Sequence, residues 1–330
     1  MPSAPPTAHG TLFGLLNGYR GSQALHVAAV LGVPDLLADG PRPSSELAEA
    51  TGSHPEALYR LLRALAALGV LEEASDRAFA LTEVGRLLRS DVEGSLHGWA
   101  VFIGSETHWR SWERLDHSVR TGETAFEHLY GVDVWTWRAE RPDEGAVFDA
   151  AMASLTGGLE RVLLEAYDFG RFQRIVDVGG NRGELLAAIL AAHGDLHGVV
   201  FDLPHVVAAA GAADRLEAVG GSFFDGVPAG GDAYVLKAII HDWDDERAAT
   251  ILRRCAEAMD GDGTVLVIEH DLGAPNEDPI PKLGDLQMLV APGGRERTRA
   301  EYAALFAAAG LNLSDVVPIR GGWAIYEACR

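Results

Sequence analysis

Cysteine is nearly absent from this chain. Only Cys255 and Cys329 occur among 330 residues, so no disulfide framework is expected and a reducing compartment fits. Cys255 falls in an amphipathic helical stretch, where a small buried thiol is the plain reading. No cysteines and histidines cluster at zinc spacing, and no metal is expected. Long apolar runs are also missing, which leaves no stretch of the roughly 18 residues that a membrane-crossing helix needs. The opening MPSAPPTAHG lacks the basic and apolar regions of a secretory leader, so a cytoplasmic location is expected. Positive charge is short as well: 27 Lys and Arg against 48 Asp and Glu give a net charge of −21. Nucleic acids and anionic membranes are held by dense Lys/Arg contacts, so neither is expected as a partner. A neutral or weakly acidic small molecule in an apolar pocket remains open.

What is present has room for two domains. Residues 12–38 read as an apolar helical region broken near Gly18, Gly21 and Gly32. It is apolar on more than one face, which makes it core or subunit interface. A helix-turn-helix pattern follows. Ser44 and Ser45 are expected to cap a helix over 46–50, Thr51-Gly52-Ser53 turns the chain, and Pro55 opens a helix over 56–68 striped with Leu58, Leu61, Leu62, Leu65 and Leu68. Gly69 ends it, and 70–73 with 78–81 form a small hairpin. This is a winged helix in outline. Its acidic surroundings favour a dimerisation role over DNA binding, with a winged-helix regulator kept as the rival from another class. Residues 97–165 are mostly helical and rich in tryptophan, either as plain core or as the wall of an aromatic pocket.

From Ile175 onward, strands alternate with helices. Strands are expected at 174–178, 198–202, 233–237 and 264–269, with a final antiparallel pair near 314–319 and 322–328. The alternation predicts an α/β, Rossmann-like, doubly wound domain with ligands at the carboxyl ends of its strands. Asp177, Asp202, Lys237 and Glu269 all fall there. The segment Asp177-Val178-Gly179-Gly180-Asn181-Arg182-Gly183 joins the first strand to a helix over 184–192, and its glycines let a ligand approach the backbone. Asp202, ending the second strand, suits the two hydroxyls of a ribose. The glycine spacing is not that of a dinucleotide site, and a carboxylate beside the turn disfavours pyrophosphate. It suits an amino group, so S-adenosylmethionine (SAM), which has that group and no phosphate, is the expected cofactor.

After Lys237 comes Ala238-Ile239-Ile240-His241-Asp242-Trp243-Asp244-Asp245. An imidazole just past a strand end can take a proton from a phenol or enol near neutral pH. A lone histidine is more often a cap or a core residue. Here Glu269 ends the next strand and Glu296 lies in Gly293-Gly294-Arg295-Glu296-Arg297-Thr298. Two carboxylates near one imidazole would fix its tautomer and stabilise its charged form.

In these motifs the chain resembles the cation-independent, SAM-dependent O-methyltransferases related to plant caffeic acid and isoflavone methyltransferases, in the bacterial branch that decorates aromatic natural products. The motifs DVGGNRG, FDLP, GSFFD, LKAIIHDWDD, VLVIEHDL and GGRERT carry the resemblance over nearly the whole chain. It implies a helical, winged-helix dimerisation domain over 1–95, a helical region over 96–165 that contributes to the substrate pocket, and a Rossmann-like SAM-binding catalytic domain over 166–330. It implies a homodimer through the N-terminal helices and a small aromatic acceptor, methylated at a hydroxyl. By position it assigns Gly179, Asp202, Ser222, Phe223 and Lys237 to the cofactor, and His241 to the general base flanked by Glu269 and Glu296. It assigns Phe148, Met152, Asp242, Trp243 and Met288 to the acceptor pocket. Asn181 replaces a glycine of the family run, which is tolerable if its φ is negative or left-handed. Ser222 stands where aspartate is common. Some relatives use SAM for decarboxylation or hydroxylation instead, and retention of His241, Glu269 and Glu296 argues against that reading.

Overall fold

The structure, a computed structural model, describes residues 7–208 and 214–330, so part of the opening stretch read above for its lack of a leader lies outside it. The chain divides into two compact units, Met1–Glu113 with Thr136–Gly158, and Arg114–Trp135 with Leu159–Arg330.

The first unit opens with a 23-residue helix, Ala8–Val30, capped by the Thr7 hydroxyl. It runs unbroken through Gly18 and Gly21, contrary to the breaks expected there; only Gly32, at φ +68°, interrupts the chain. A glycine inside a helix costs only about 1 kcal/mol, too little to stop so long a helix. A short helix, Val33–Leu36, is followed by helix Ser44–Thr51. The expected serine cap is not formed: Pro43 is the cap residue, Ser44 is already helical, and no side chain closes the turn. Gly52 ends this helix in the left-handed conformation, and Pro55 takes the first position of helix Pro55–Ala67. Proline is preorganised there, where its missing N–H is not needed. Leu58, Leu62 and Leu65 form the buried stripe, whereas Leu68 lies beyond the helix and is exposed. Three strands complete this part: β1 (Arg42–Pro43), β2 (Leu71–Glu73) and β3 (Ala78–Leu81), antiparallel in the order β1-β3-β2. Phe79 of β3 joins Leu47, Leu58, Leu62 and Leu65 in one core cluster. On the long first helix Leu12, Phe13, Leu15, Leu16 and Tyr19 are all exposed.

The second unit is built on seven strands: β4 (Arg174–Val178), β5 (His197–Asp202), β6 (Leu216–Gly220), β7 (Gly231–Lys237), β8 (Met259–His270), β9 (Asn312–Pro318) and β10 (Trp323–Cys329). Their order is β6-β5-β4-β7-β8-β10-β9. The first five are parallel; β10 is antiparallel to β8 and to β9. Near-continuous apolar runs are what a sheet covered on both faces requires. Alternate residues supply the two layers. Val176, Tyr234, Leu236, Val265 and Val267 pack on one face, with residues of helices Asp245–Ala258 and Arg299–Ala308. Ile175, Val235, Leu266 and Ile268 pack on the other, with residues of helices Leu159–Ala166 and Glu184–Ala192. Each fully buried side chain of this kind contributes roughly 1.5–3 kcal/mol.

Strand β6 was not expected from the sequence. Its residues, Leu216-Glu217-Ala218-Val219-Gly220, are all exposed or half-buried at the sheet edge and carry no apolar run. The order has one functional consequence. Connections lead from β4 outward to β5 and β6, then return to β7 and β8 on the other side. The chain therefore switches direction between β4 and β7, and in sheets of this kind the ligand crevice lies beyond the carboxyl ends of the strands at that point. Among the described residues, no helix is long and apolar enough to cross a membrane.

Candidate active site

At the β4 edge of the crevice the chain turns through Gly179 to Gly183 into helix Glu184–Ala192. Gly179 has φ +73°, and a Cβ there would stand 2.4 Å from Ile239 Cδ1, so only glycine lets the turn come this close. Asn181 is left-handed at φ +52°. Its N–H donates to Asp202 Oδ2 at 2.9 Å, and the Leu203 N–H donates to Asp202 Oδ1 at 2.7 Å. Asp202 is thus oriented by backbone amides at the tip of β5. Asp177 is buried one residue before the end of β4. Burial pushes its carboxyl up to about 7, with Lys237 opposing the rise and Asp202 adding to it. Beyond β6, Ser222 heads a turn in which its Oγ accepts from the Phe224 N–H at 3.3 Å. Phe223 meets both Phe224 and Trp243 edge-on, at centroid distances of 4.9 and 5.8 Å. Trp243 also stacks on Trp135 at 6.0 Å.

The second half of the site is the loop after β7. Ala238 adopts φ +54°, an unfavourable conformation for a residue with a Cβ, at a cost of about 1–3 kcal/mol. The three residues after it are fixed by one carboxylate. Glu269 Oε1 accepts from the N–H groups of Ile239, Ile240 and His241 at 3.0, 2.8 and 3.2 Å. Glu269 is fully buried at the end of β8. His241, in the single turn Ile240–Asp242, donates from Nδ1 to Glu296 Oε1 at 2.9 Å, while Glu269 Oε2 lies 3.3 Å from the same nitrogen. A neutral imidazole carries one proton, so the shorter contact with Glu296 takes it and Nε2 is left as an acceptor. Asp242 Oδ1 lies 3.7 Å from Nε2. Burial works against a charged imidazole, but Glu269, Glu296 and Asp242 outweigh it and hold His241 well above its ordinary 6.5. Burial, reinforced by Glu296 and opposed by His241, pushes Glu269 up to about 7.

Glu296 is delivered by an extended segment laid against that loop. Gly294 packs on the loop backbone, the Arg295 N–H donates to the His241 carbonyl at 2.8 Å, and the Glu296 N–H donates to Asp285 Oδ1 at 2.9 Å. Thr298 then caps helix Arg299–Ala308 reciprocally with Glu301. The donor atoms of His241, Glu269 and Glu296 lie within 4.8 Å of one another, close enough to share a cation. A cation there would have to displace the proton that His241 Nδ1 shares with Glu296, so the arrangement suits holding a proton.

Two family models match the chain: the O-methyltransferase dimerisation domain over residues 13–91 and the O-methyltransferase domain over residues 112–312. The chain belongs to the O-methyltransferase family. It is 41% identical to the phenazine O-methyltransferase PhzM of Lysobacter antibioticus, over 96% of this chain and 95% of that protein. The crystal structure of LaPhzM superposes with a TM-score of 0.94 at 41% identity, covering 98% and 99% of the two chains. The methyltransferase NcsB1 from neocarzinostatin biosynthesis, in complex with SAM and 2-hydroxy-5-methyl naphthoic acid, superposes with a TM-score of 0.78 at 39% identity, covering 93% and 95%.

Within the second unit of this O-methyltransferase, Gly179, Asp202 and Lys237 stand at the carboxyl ends of adjacent strands. Ser222, Phe223 and Trp243 share one turn-and-ring cluster, and His241, Asp242, Glu269 and Glu296 are gathered around one imidazole. Met288 lies on helix Pro279–Val290, the helix that carries Asp285, and its carbonyl accepts from the Gly293 N–H at 2.9 Å. Phe148 and Met152 belong to the first unit, on helix Pro142–Thr156, where Phe148 packs against Phe102 and under the Arg138 guanidinium. Reading the sequence missed Gly294, Asp285, Asp245 and Arg297. All but Asp285 sit inside motifs already singled out, but nothing in their spacing reveals that the two motifs pack against each other.

A Cβ on Gly294 would fall 2.0 Å from the His241 carbonyl oxygen and 2.5 Å from the Trp243 nitrogen, backbone atoms that cannot swing aside. Gly294→Ala therefore displaces the loop that carries His241. A misplacement of about 1 Å costs on the order of 100-fold in rate, and the expected outcome is a folded protein with turnover reduced by that order in a steady-state assay. Wild-type turnover would contradict the tight packing.

Proposed function

We propose that this chain transfers a methyl group from SAM to a hydroxyl, phenolic in character, on a small aromatic natural product, with His241 as general base. The observation that carries the reading is the His241 Nδ1–Glu296 contact of 2.9 Å, which leaves Nε2 to receive a proton. SAM, when bound, supplies a methyl group on a positively charged sulfur.

The residues at the crevice fit a cationic cofactor. Asp177, Asp202 and Glu269 surround it with Lys237 as the counter-charge, and Asp177 is a buried carboxyl that a nearby positive charge would return to its ionised form. Gly179 gives room at the turn, Asp202 suits a ribose, and Ser222 with Phe223 suits an adenine. A neutral phenol is a poor nucleophile near neutral pH. His241 Nε2 removes its proton as the oxygen attacks, Glu296 and Glu269 stabilise the imidazolium that results, and the phenolic oxygen is left to attack in line. General base catalysis of this kind contributes roughly 10²–10⁴-fold. The remainder comes from holding the oxygen and methyl group in line. Within the second unit, Asp242, Trp243 and Met288 are the proposed acceptor-pocket residues. Relatives acting on phenazine and naphthoate rings support an aromatic acceptor.

The proposed assembly is a homodimer through the first helix. A row of Leu12, Phe13, Leu15, Leu16 and Tyr19, each more than half exposed, is a large apolar surface for a lone chain. The dimerisation-domain match over 13–91 supports a second copy as its cover.

Three outcomes follow. His241→Ala retains SAM affinity by calorimetric titration while turnover falls by roughly 10²–10⁴-fold; unchanged turnover would mean that positioning alone drives the reaction. Since the imidazole must be neutral to accept a proton and its carboxylate neighbours hold its pKa up, activity rises with pH through a limb above 6.5. Glu296→Gln removes one of those charges, and the limb moves to lower pH in a pH–rate profile; a shift to higher pH would reverse the assigned role. Changing Leu15 and Leu16 together to glutamate converts a dimer to a monomer in light scattering, and a wild-type monomer would remove the interface.

A further inference from the structure

Arg297 is the one fully buried arginine among the described residues. A guanidinium carries five N–H groups, and here all five are used. Nε donates to Asp245 Oδ1 at 3.0 Å and Nη2 donates to the same oxygen at 2.8 Å. The second Nη2 proton goes to the Trp243 carbonyl at 2.9 Å. Nη1 donates to the carbonyls of Ile240 and Arg295, at 3.1 and 3.2 Å. The Arg297 carbonyl in turn accepts from the Leu272 N–H at 3.2 Å, beyond the end of β8.

These partners share a geometry. Ile240 and Trp243 bracket His241 and Asp242 in the base loop. Arg295 and Arg297 bracket Glu296 in the facing segment. Asp245 is the first residue of helix Asp245–Ala258, on which the loop ends. One rigid, planar cation therefore bonds to both sides of the loop that carries the imidazole and to the segment that carries its carboxylate partner. We propose that Arg297, anchored by Asp245, is a positioning residue for the His241–Glu296 pair: it sets the separation of the two backbones so that the hydrogen bond forms. Arg297 does not touch the reacting atoms. Lysine cannot substitute, because a point charge on a flexible stem has three donors and no planar fork. The inference rests on His241 acting as the base.

Both ends of the clamp are tested. Asp245 is largely exposed at its side chain, so Asp245→Ala leaves the core and the three carbonyl contacts in place and is expected to fold. Arg297→Lys and Arg297→Met remove the fork itself. Each purified variant is compared with wild type for SAM affinity by calorimetry, for kcat and KM toward a phenolic acceptor, and for the pH profile of kcat. The groups that set that profile are Glu269, Glu296 and Asp242, with His270 farther off.

The expected result is unchanged SAM affinity, kcat lowered about 10-fold to 100-fold with little change in KM, and an acid limb displaced to lower pH as His241 loses Glu296. Asp245→Asn, which keeps an acceptor oxygen for the fork, restores most of the kcat lost in Asp245→Ala. A residue that served stability alone would lower the amount of folded enzyme without moving the limb, and that result overturns the inference. So does a folded Asp245→Ala or Arg297→Lys enzyme with wild-type kcat and pH profile. Failure of the wild-type enzyme to bind SAM or to methylate would instead strike the functional reading.

Discussion

The hydrogen bond from His241 Nδ1 to Glu296 is the contact on which the rest of the site depends. A half-buried imidazole and two buried carboxylates lie within 4.8 Å of one another. Buried ionisable groups are costly unless each has a partner. The fold meets that demand unequally. Glu296 orients the imidazole, while Glu269 spends one oxygen on three consecutive backbone amides and so shapes the loop before it acts on the ring. The left-handed Ala238 is retained because those amides, together with its own bond to the Ile268 carbonyl, over-determine the turn. Each element that bears on the pair comes from a different part of the chain: the end of β8, the loop after β7, the helix carrying Asp285, and the 294–298 segment.

The electrostatics of the crevice follow from the same economy. Carboxylates are collected at the ends of β4, β5 and β8, and Lys237 is the cation among them. An environment of this sign disfavours phosphate and favours a positively charged ligand. It also raises the affinity of His241 for a proton, as the proposed base role requires. The cost is that the imidazole is neutral only at the alkaline side of its ordinary range.

Much of this was legible in the sequence, for identifiable reasons. The parallel strands announced themselves because a sheet covered on both faces needs apolar runs such as Val235-Leu236 and Val265 to Ile268. Helix Glu184–Ala192 was expected within its observed limits, since a glycine turn precedes it and a continuous apolar stretch defines it. Strand β6 was hidden because it lies at an edge and is held by backbone bonds to β5 rather than by burial. The first helix was read as broken because Gly18 and Gly21 weigh heavily in a local pattern, yet the cost of each is small against 23 residues of helix. The expected serine cap failed because Pro43, fixed in an extended conformation, already sets the entry to that helix. At the site, residue types, strand ends and motifs pointed to His241, Glu269, Glu296 and Asp202, and the structure brings the first three within 4.8 Å of one another. Arg297, Asp245, Asp285 and Gly294 were not legible, because their roles lie in contacts between segments about 50 residues apart or, for Asp285, across a helix-to-segment contact. Sequence spacing carries no signal for such contacts.

His241, when neutral, carries its proton on Nδ1 and leaves Nε2 bare. Nitrogen-15 NMR of histidine-labelled protein, with His241 assigned by its loss in His241→Ala, reports this directly. At alkaline pH the account predicts a protonated, hydrogen-bonded Nδ1 and an unprotonated Nε2 for His241, with Nε2 gaining its proton at a pKa above 6.5. A proton on Nε2 at alkaline pH, or titration below the ordinary histidine value, would contradict it.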